Sequence, residues 1–365
     1  MQKITIIAGA RPNFIKIAPF IHAIQKAQVL LKDIQFRLVH TGQHYDAKMS
    51  DTFFDELNIP LPDANLACGG GSQAEQTAAI MIAFEKELLA NPADMVVVVG
   101  DVTSTMACSI VAKKLQTKVA HIEAGIRSFD LSMPEEINRM VTDSITDYFF
   151  TTTELANKHL QKAGIEEERI FFVGNIMIDT LLKNLTRFTK PAFFDTLNLT
   201  GKNYLVMTLH RPANVDEGGV LKELIQEIVT NVEGLPVIFP IHPRTAAIFL
   251  DLGISAPNLH IVDPMGYLEF NYLVQQAKAV ITDSGGITEE TTVLGVPCIT
   301  LRENTERPET CTIGTNELIG TNPANIAPAL KKLFEGGWKK GAIPPLWDGH
   351  TAERIVAHIT AQKNG

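Results

Sequence analysis

Met95-Val96-Val97-Val98-Val99-Gly100-Asp101 passes through an unbroken apolar run and stops at a glycine and a carboxylate. A strand with one wet face alternates apolar and polar residues, whereas a strand covered by helices on both faces loses that alternation. The run therefore predicts a buried parallel strand. Residues 4–8, 36–40 and 118–122 repeat the pattern, with longer amphipathic stretches between them. Strand and helix in alternation imply right-handed crossovers and a doubly wound sheet.

A second series of apolar runs, at 170–173, 204–208, 236–240, 260–262, 279–282 and 298–301, follows Ala163-Gly164-Ile165. The first of these, with Gly174-Asn175, closes the first domain, because the polar stretch 190–203 has loop character and precedes a fresh strand. The expected boundary falls within 180–200, giving domains of 1–185 and 186–350. The amphipathic end of the chain, 351–365, either caps the second domain or returns to the first. The length of 365 residues agrees with two domains, since single cores stop growing at roughly 250–300 residues.

The charge balance, 32 − 41 = −9, argues against general nucleic-acid binding, which needs Lys and Arg to neutralise phosphates. Cys68, Cys108, Cys298 and Cys311 are scattered, without a paired spacing or a histidine to complete a metal site, and read as small buried hydrophobes. The start of the chain lacks the basic head and long apolar core of a signal peptide, and no apolar run suits a membrane span. A reducing cytoplasm is the expected setting.

In open α/β sheets ligands collect beyond the carboxyl ends of strands, so the polar clusters there are the candidate site. Asp283-Ser284-Gly285-Gly286 follows an apolar run and opens a helical pattern closed by Gly295. Glycines at a helix entrance let a diphosphate approach backbone N–H groups and the positive end of the helix dipole. An ordinary capped helix fits the same residues. Ser284 can add a hydroxyl donor, and Glu290, one turn further in, can accept from ribose hydroxyls. Pro264-Met265-Gly266-Tyr267-Leu268-Glu269-Phe270 reads as a loop whose aromatics stack on a base, or as a helical face packed in the core. His210-Arg211 and His242-Pro243-Arg244 supply charge-assisted donors at strand ends. At the first strand end, Arg11 sits on a turn entering a helix; Lys16, further along, is a second cation of the site or a surface lysine. Three carboxylates, Asp101, Glu123 and Glu135, stand at strand ends or in the loops that follow. Acids gathered there supply the mixture of protonated and ionised groups that acid/base chemistry requires.

These motifs together resemble the non-hydrolysing UDP-N-acetylglucosamine 2-epimerases. The likeness runs through Gly9-Ala10-Arg11-Pro12, Thr41-Gly42-Gln43-His44, Gly71-Ser72-Gln73-Ala74-Glu75-Gln76, Gly100-Asp101-Val102-Thr103-Ser104-Thr105 and His121-Ile122-Glu123-Ala124-Gly125-Ile126-Arg127-Ser128. It continues through Pro134-Glu135-Glu136-Ile137-Asn138-Arg139, Gly174-Asn175, His210-Arg211-Pro212, His242-Pro243-Arg244, Asp283-Ser284-Gly285-Gly286 and Thr305-Glu306-Arg307-Pro308-Glu309. The resemblance implies two Rossmann-like α/β domains facing a central cleft, as in glycosyltransferase-B folds. It implies UDP held mainly by the second domain, a homodimer, and no metal or dinucleotide cofactor. By matching positions, Arg11, His210, Ser284, Gly285 and Gly286 surround the diphosphate, Glu290 the ribose and Phe270 the uracil. Lys16, Arg139 and His242 join the substrate contacts. Asp101, Glu123 and Glu135 match the acid/base candidates, with His210 beside them.

The implied reaction has a physical logic. The C2 proton of the sugar has no carbonyl beside it, so the C1–O bond to UDP must weaken first; the oxocarbenium-like sugar then yields its C2 proton to a carboxylate, giving 2-acetamidoglucal. Donors that stabilise departing UDP act where charge develops. Reprotonation from the opposite face and return of UDP give the C2 epimer. The chain departs from the family pattern at Tyr45-Asp46 and at Gly69-Gly70-Gly71, where substrate-activated members carry an arginine. Epimerases of UDP-diacetamido-uronates share most of these motifs, and a hydrolysing epimerase or a non-catalytic UDP-sugar sensor are the other readings.

Overall fold

The computed structural model of the chain describes residues 1–31, 34–42, 54–215, 218–241, 246, 249 and 253–361. It divides into two compact units, Met1–Lys183 with Pro345–Gly365, and Asn184–Pro344.

The first unit is built on a seven-stranded sheet of β1 (Gln2–Ala8), β2 (Ile34–His40), β3 (Ala64–Asn65), β4 (Met95–Val99), β5 (Lys118–Ala124), β6 (Tyr148–Thr151) and β7 (Ile170–Phe172), in the order β3-β2-β1-β4-β5-β6-β7. Each observed pairing in it is parallel. Every residue of β4 is buried. Val96 and Val98 pack with Ile80, Phe84 and Cys108 on one face, which leaves Val97 and Val99 to the other and explains the uninterrupted valines. The order reverses between β1 and β4, and the strand ends there form the crevice where such sheets take ligands.

The second unit repeats the plan with β8 (Leu205–Thr208), β9 (Val237–Pro240), β10 (Leu259–Val262), β11 (Ala279–Thr282), β12 (Cys298–Thr300) and β13 (Asn316–Leu318), ordered β10-β9-β8-β11-β12-β13. Leu205, Met207, Val237 and Phe239 pack against helices Gly218–Asn231 and Ile326–Phe334. Val206, Ile238 and Val280 pack on the other face with Leu273 and Val274. Here the reversal lies between β8 and β11, so His210 and Ser284 follow the two strands that flank it.

The last helix, Thr351–Ala361, belongs to the first unit and packs along helix Arg11–Leu31. Its first backbone N–H groups, of Thr351 and Ala352, donate to the buried carboxylate of Asp179 at 3.1 and 2.7 Å. Cys68, Cys108 and Cys298 are buried and Cys311 is partly exposed. Among the described residues no helix is long and apolar enough to cross a membrane.

Candidate functional site

In the first unit, β1 gives way at Gly9-Ala10 to helix Arg11–Leu31. Asn13 ties this turn to the neighbouring strand: its side-chain oxygen accepts from the Gly9 and Ala10 N–H groups at 3.0 and 2.9 Å, and its amide donates to Val99 O at 3.1 Å. One turn further on, Lys16 is buried rather than on the surface, and its Nζ meets Glu123 Oε2 at 2.6 Å. Gly100 makes room for the pair, since a Cβ there would lie 3.2 Å from Lys16 Nζ, and its φ of +69° suits glycine. Glu123 itself takes φ +72°, at a bulge where the register of β5 against β6 shifts. Such backbone is costly for a non-glycine residue, and bulges re-aim side chains; here the result is a carboxylate turned onto a lysine.

Asp101 follows Gly100 directly. Its carboxylate takes Arg139 Nη1 at 2.5 Å while remaining 29% exposed, and Asn138 Nδ2 donates to its backbone carbonyl at 2.8 Å. Arg139 is fixed in turn by Glu136, whose Oε2 receives Nε at 2.9 Å and Nη2 at 2.6 Å. Burial would push the Glu136 carboxyl up, but the Ser128 and Phe129 N–H groups and Arg139 hold it below its ordinary value. Asp101, Glu123, Lys16 and Arg139 are thus each held in place at the ends of β1, β4 and β5 or on the helix Pro134–Ile145 beside them. Glu135 is not part of this network: it lies exposed in the first turn of that helix, and its neighbour Glu136 faces inward. The side chain of Arg11 lies outside the described residues, as do His242, Gln43-His44 and Tyr45-Asp46.

In the second unit the organising group is Asp283, at the end of β11 and fully buried. It accepts from the His210 and Arg211 N–H groups at 3.1 and 2.9 Å, from Asn214 Nδ2 at 3.0 Å, and faces His210 Nδ1 at 2.7 Å. Burial opposes its charge, yet the His210 ring, Asn214 and the Arg211 N–H together hold its carboxyl below the ordinary value. Asp283 therefore fixes the loop after β8 against β11 and turns the half-exposed His210 ring outward. Ser284 is the N-cap of helix Gly285–Leu294, and its hydroxyl makes no capping hydrogen bond. Gly285 is closely approached: a Cβ would sit 2.8 Å from Glu306 Oε1. Burial disfavours a charged Glu306, but Arg302, at 2.7 Å, and Arg307 bring it down to about 2. The entrance of the helix thus carries a guanidinium held by an ionised carboxylate.

Glu290, deeper in the same helix, is buried, and burial pushes its carboxyl up to about 7 against hydrogen bonds from Tyr267 and Asn271. Of the two readings of Tyr267 and Phe270, a loop or a helical face packed in the core, the structure shows the helix. They belong to helix Tyr267–Gln276, entered at Gly266, because Phe270 N bonds to Gly266 O and Tyr267 packs inward. Phe270 is half-buried against the cluster of Leu273, Val280 and Val296.

Sequence reasoning did not single out Asn13, Glu136, Asn214, Asp283, Arg302 or Glu306. Asp283 and Glu306 stood inside motifs already picked out. Glu136 stood inside one as well, on a helix whose inward face the sequence does not orient; Asn13 and Asn214 could not be seen because Val99, Asp283 and Leu301, to which they bridge, lie tens of residues away, and Arg302, four residues from Glu306, lay outside every motif.

The sequence profile of the family described as UDP-N-acetylglucosamine 2-epimerase matches residues 28–360. The chain is 42% identical to the UDP-N-acetylglucosamine 2-epimerase of Methanocaldococcus jannaschii, covering 99% of this chain and 100% of the relative. It is 40% identical to the UDP-2,3-diacetamido-2,3-dideoxy-D-glucuronate 2-epimerase of Pseudomonas aeruginosa, over 87% of this chain and 88% of that one. The crystal structure of the M. jannaschii enzyme in complex with UDP-GlcNAc and UDP superposes with a TM-score of 0.89, covering 98% of this chain and 99% of that chain.

Proposed function

The chain belongs to the UDP-N-acetylglucosamine 2-epimerase family, and from that premise we propose that it interconverts UDP-N-acetylglucosamine and UDP-N-acetylmannosamine by eliminating and re-adding UDP. One observation carries the reading: a relative 42% identical over practically its whole length was crystallised with UDP-GlcNAc and UDP. The placement of Asp101 and Glu123 at the strand ends of the first unit supports it.

In this proposal the second unit holds the nucleotide. The first turn of helix Gly285–Leu294, the Ser284 hydroxyl and His210 stabilise negative charge on departing UDP, Glu290 takes the ribose, and Phe270 the uracil. Stabilising the leaving group more strongly in the transition state than in the ground state is what accelerates cleavage. The first unit supplies the acid and base. Lys16 meets Glu123, and Arg139 meets Asp101 without covering it; in this proposal one carboxyl takes the proton from C2 and another returns one to the opposite face. Glu135, exposed beside Glu136, is the third candidate. A homodimer in the cytoplasm completes the proposal.

The Pseudomonas relative favours a second reading, in which the sugar is a UDP-2,3-diacetamido-uronate. Incubating the protein with each UDP-sugar and following the anomeric and C2 protons by NMR decides between them: epimerisation of UDP-N-acetylglucosamine supports the first reading, and turnover of the uronate alone replaces it. Phosphorus NMR of the same samples excludes a hydrolysing enzyme if free UDP does not accumulate.

A further inference from the structure

His121, on β5, has no role in the reaction as described, yet it is fully buried between two acceptors. Its Nε2 lies 2.8 Å from the carbonyl oxygen of Gly100, and its Nδ1 lies 2.7 Å from Asp143 Oδ1. A carbonyl oxygen has no proton to give, so Nε2 must carry one. Asp143 is also committed to accepting: its Oδ2 faces Arg127 Nη1 at 2.6 Å and the Gly125 N–H at 3.1 Å. Nδ1 must therefore carry a proton as well, and an imidazole with N–H on both nitrogens is an imidazolium.

We propose that His121 is a positioning residue held as an imidazolium, whose Nε2–H pins the Gly100 carbonyl and with it the turn that presents Asp101. Gly100 is the hinge of that turn, with φ +69° and its N–H bonded to Ile122 O at 3.0 Å. Asn138 holds the next carbonyl and Arg139 the Asp101 side chain, so His121 completes a set of donors that fixes the residue from three sides. A neutral ring would oppose a lone pair to the Gly100 carbonyl or to the Asp143 carboxylate and release one end of the clamp. The groups facing the ring are Asp143 from helix Pro134–Ile145, the Gly100 carbonyl beyond β4, and, through Asp143, Arg127 from the loop beyond β5. Glu123, two residues along on β5, is neutralised by Lys16, so the acid that fixes the second ring proton is Asp143.

The protonation claim stands on geometry alone, whereas its effect on turnover rests on the proposed role of Asp101. Two readouts keep them apart. Protein labelled with nitrogen-15 histidine, with the His121 signals assigned by their loss in H121Q, should show both ring nitrogens in the N–H range at pH 8; an unprotonated ring nitrogen at that pH overturns the proposal. In D143N the second proton should be lost at pH 8, and a ring still doubly protonated there also overturns it. With UDP-N-acetylglucosamine as substrate, H121Q and D143N should lower kcat about ten- to hundredfold, since small misplacements of a reacting group cost rates of this order, while KM stays within about twofold. Variants with unchanged kcat, or with a loss confined to KM, refute the positioning role. A parent protein that leaves UDP-N-acetylglucosamine untouched refutes the proposed function and leaves the NMR result standing.

Discussion

Replacing Glu290 with glutamine should strengthen the fold and weaken the site, by amounts that follow from its burial. In the folded protein burial pushes the carboxyl from its ordinary 4.5 to about 7. As pH rises through 4.5 the unfolded chain gives up this proton while the folded chain keeps it, so stability falls until the folded carboxyl also ionises near pH 7 and is level above that. At about 1.4 kcal/mol per pH unit the penalty reaches roughly 3 kcal/mol by pH 8. E290Q has no proton to lose, so its stability relative to the parent should rise by roughly 3 kcal/mol between pH 4.5 and pH 8. Glu309, pushed up to about 7, and Asp179, up to about 6, titrate in the same window, but they are common to both proteins and cancel in the difference. Urea unfolding of parent and variant at a series of pH values measures it. The same substitution removes a charged acceptor from the proposed ribose position and should weaken UDP binding about ten- to hundredfold, the equivalent of roughly 1.5–3 kcal/mol. Parallel stability curves for the two proteins would show that the Glu290 carboxyl is not the buried group described, and an unchanged UDP dissociation constant would remove it from the nucleotide site.

Lys16→Met leaves Glu123 as a buried carboxylate without its lysine and should cost about 3–5 kcal/mol in urea unfolding, much of it restored in the K16M/E123L double variant; a K16M protein as stable as the parent contradicts the pairing. Asp283→Asn removes the charge that gathers His210, Arg211 and Asn214, and a drop in stability of about 2–4 kcal/mol together with weaker UDP binding is expected; loss of neither shows that the loop after β8 is held by something else. Gly125→Ala places a Cβ 2.5 Å from the Ala156 carbonyl oxygen at φ +77° and should lower stability by more than about 1 kcal/mol, read as a fall in the thermal midpoint.

The doubly wound sheets were legible because β4, β8 and β11 are covered on both faces and so carry runs of apolar residues. Strands that escaped lack that signal. β3 has only Ala64–Asn65, and β13 offers Asn316 and Glu317 in its three residues. β6, Tyr148–Thr151, is four residues long and begins three residues after helix Pro134–Ile145 ends, so it offers only a short run of its own. Tyr267–Gln276 could be read as a loop or as a helical face, because the turn signals Pro264 and Gly266 end just where the helix begins. Among the candidate site residues, the sequence singled out Asp101, Glu123, Arg139 and His210 inside dense motifs and Glu290 one turn beyond one. It could not pair Lys16 with Glu123, 107 residues apart, nor tell that Glu136 faces inward and Glu135 outward. Adjacent helical residues differ by about 100° in direction, and which one meets the core depends on how the helix is laid down.

The claim that C2 gives up its proton to a carboxyl on one face and takes another from the opposite face is tested most directly by incubating the protein with UDP-N-acetylglucosamine in deuterium oxide and examining C2 of the epimer as it first forms. Deuterium is expected at C2 in essentially every newly formed molecule. An epimer that retains the original proton would contradict it.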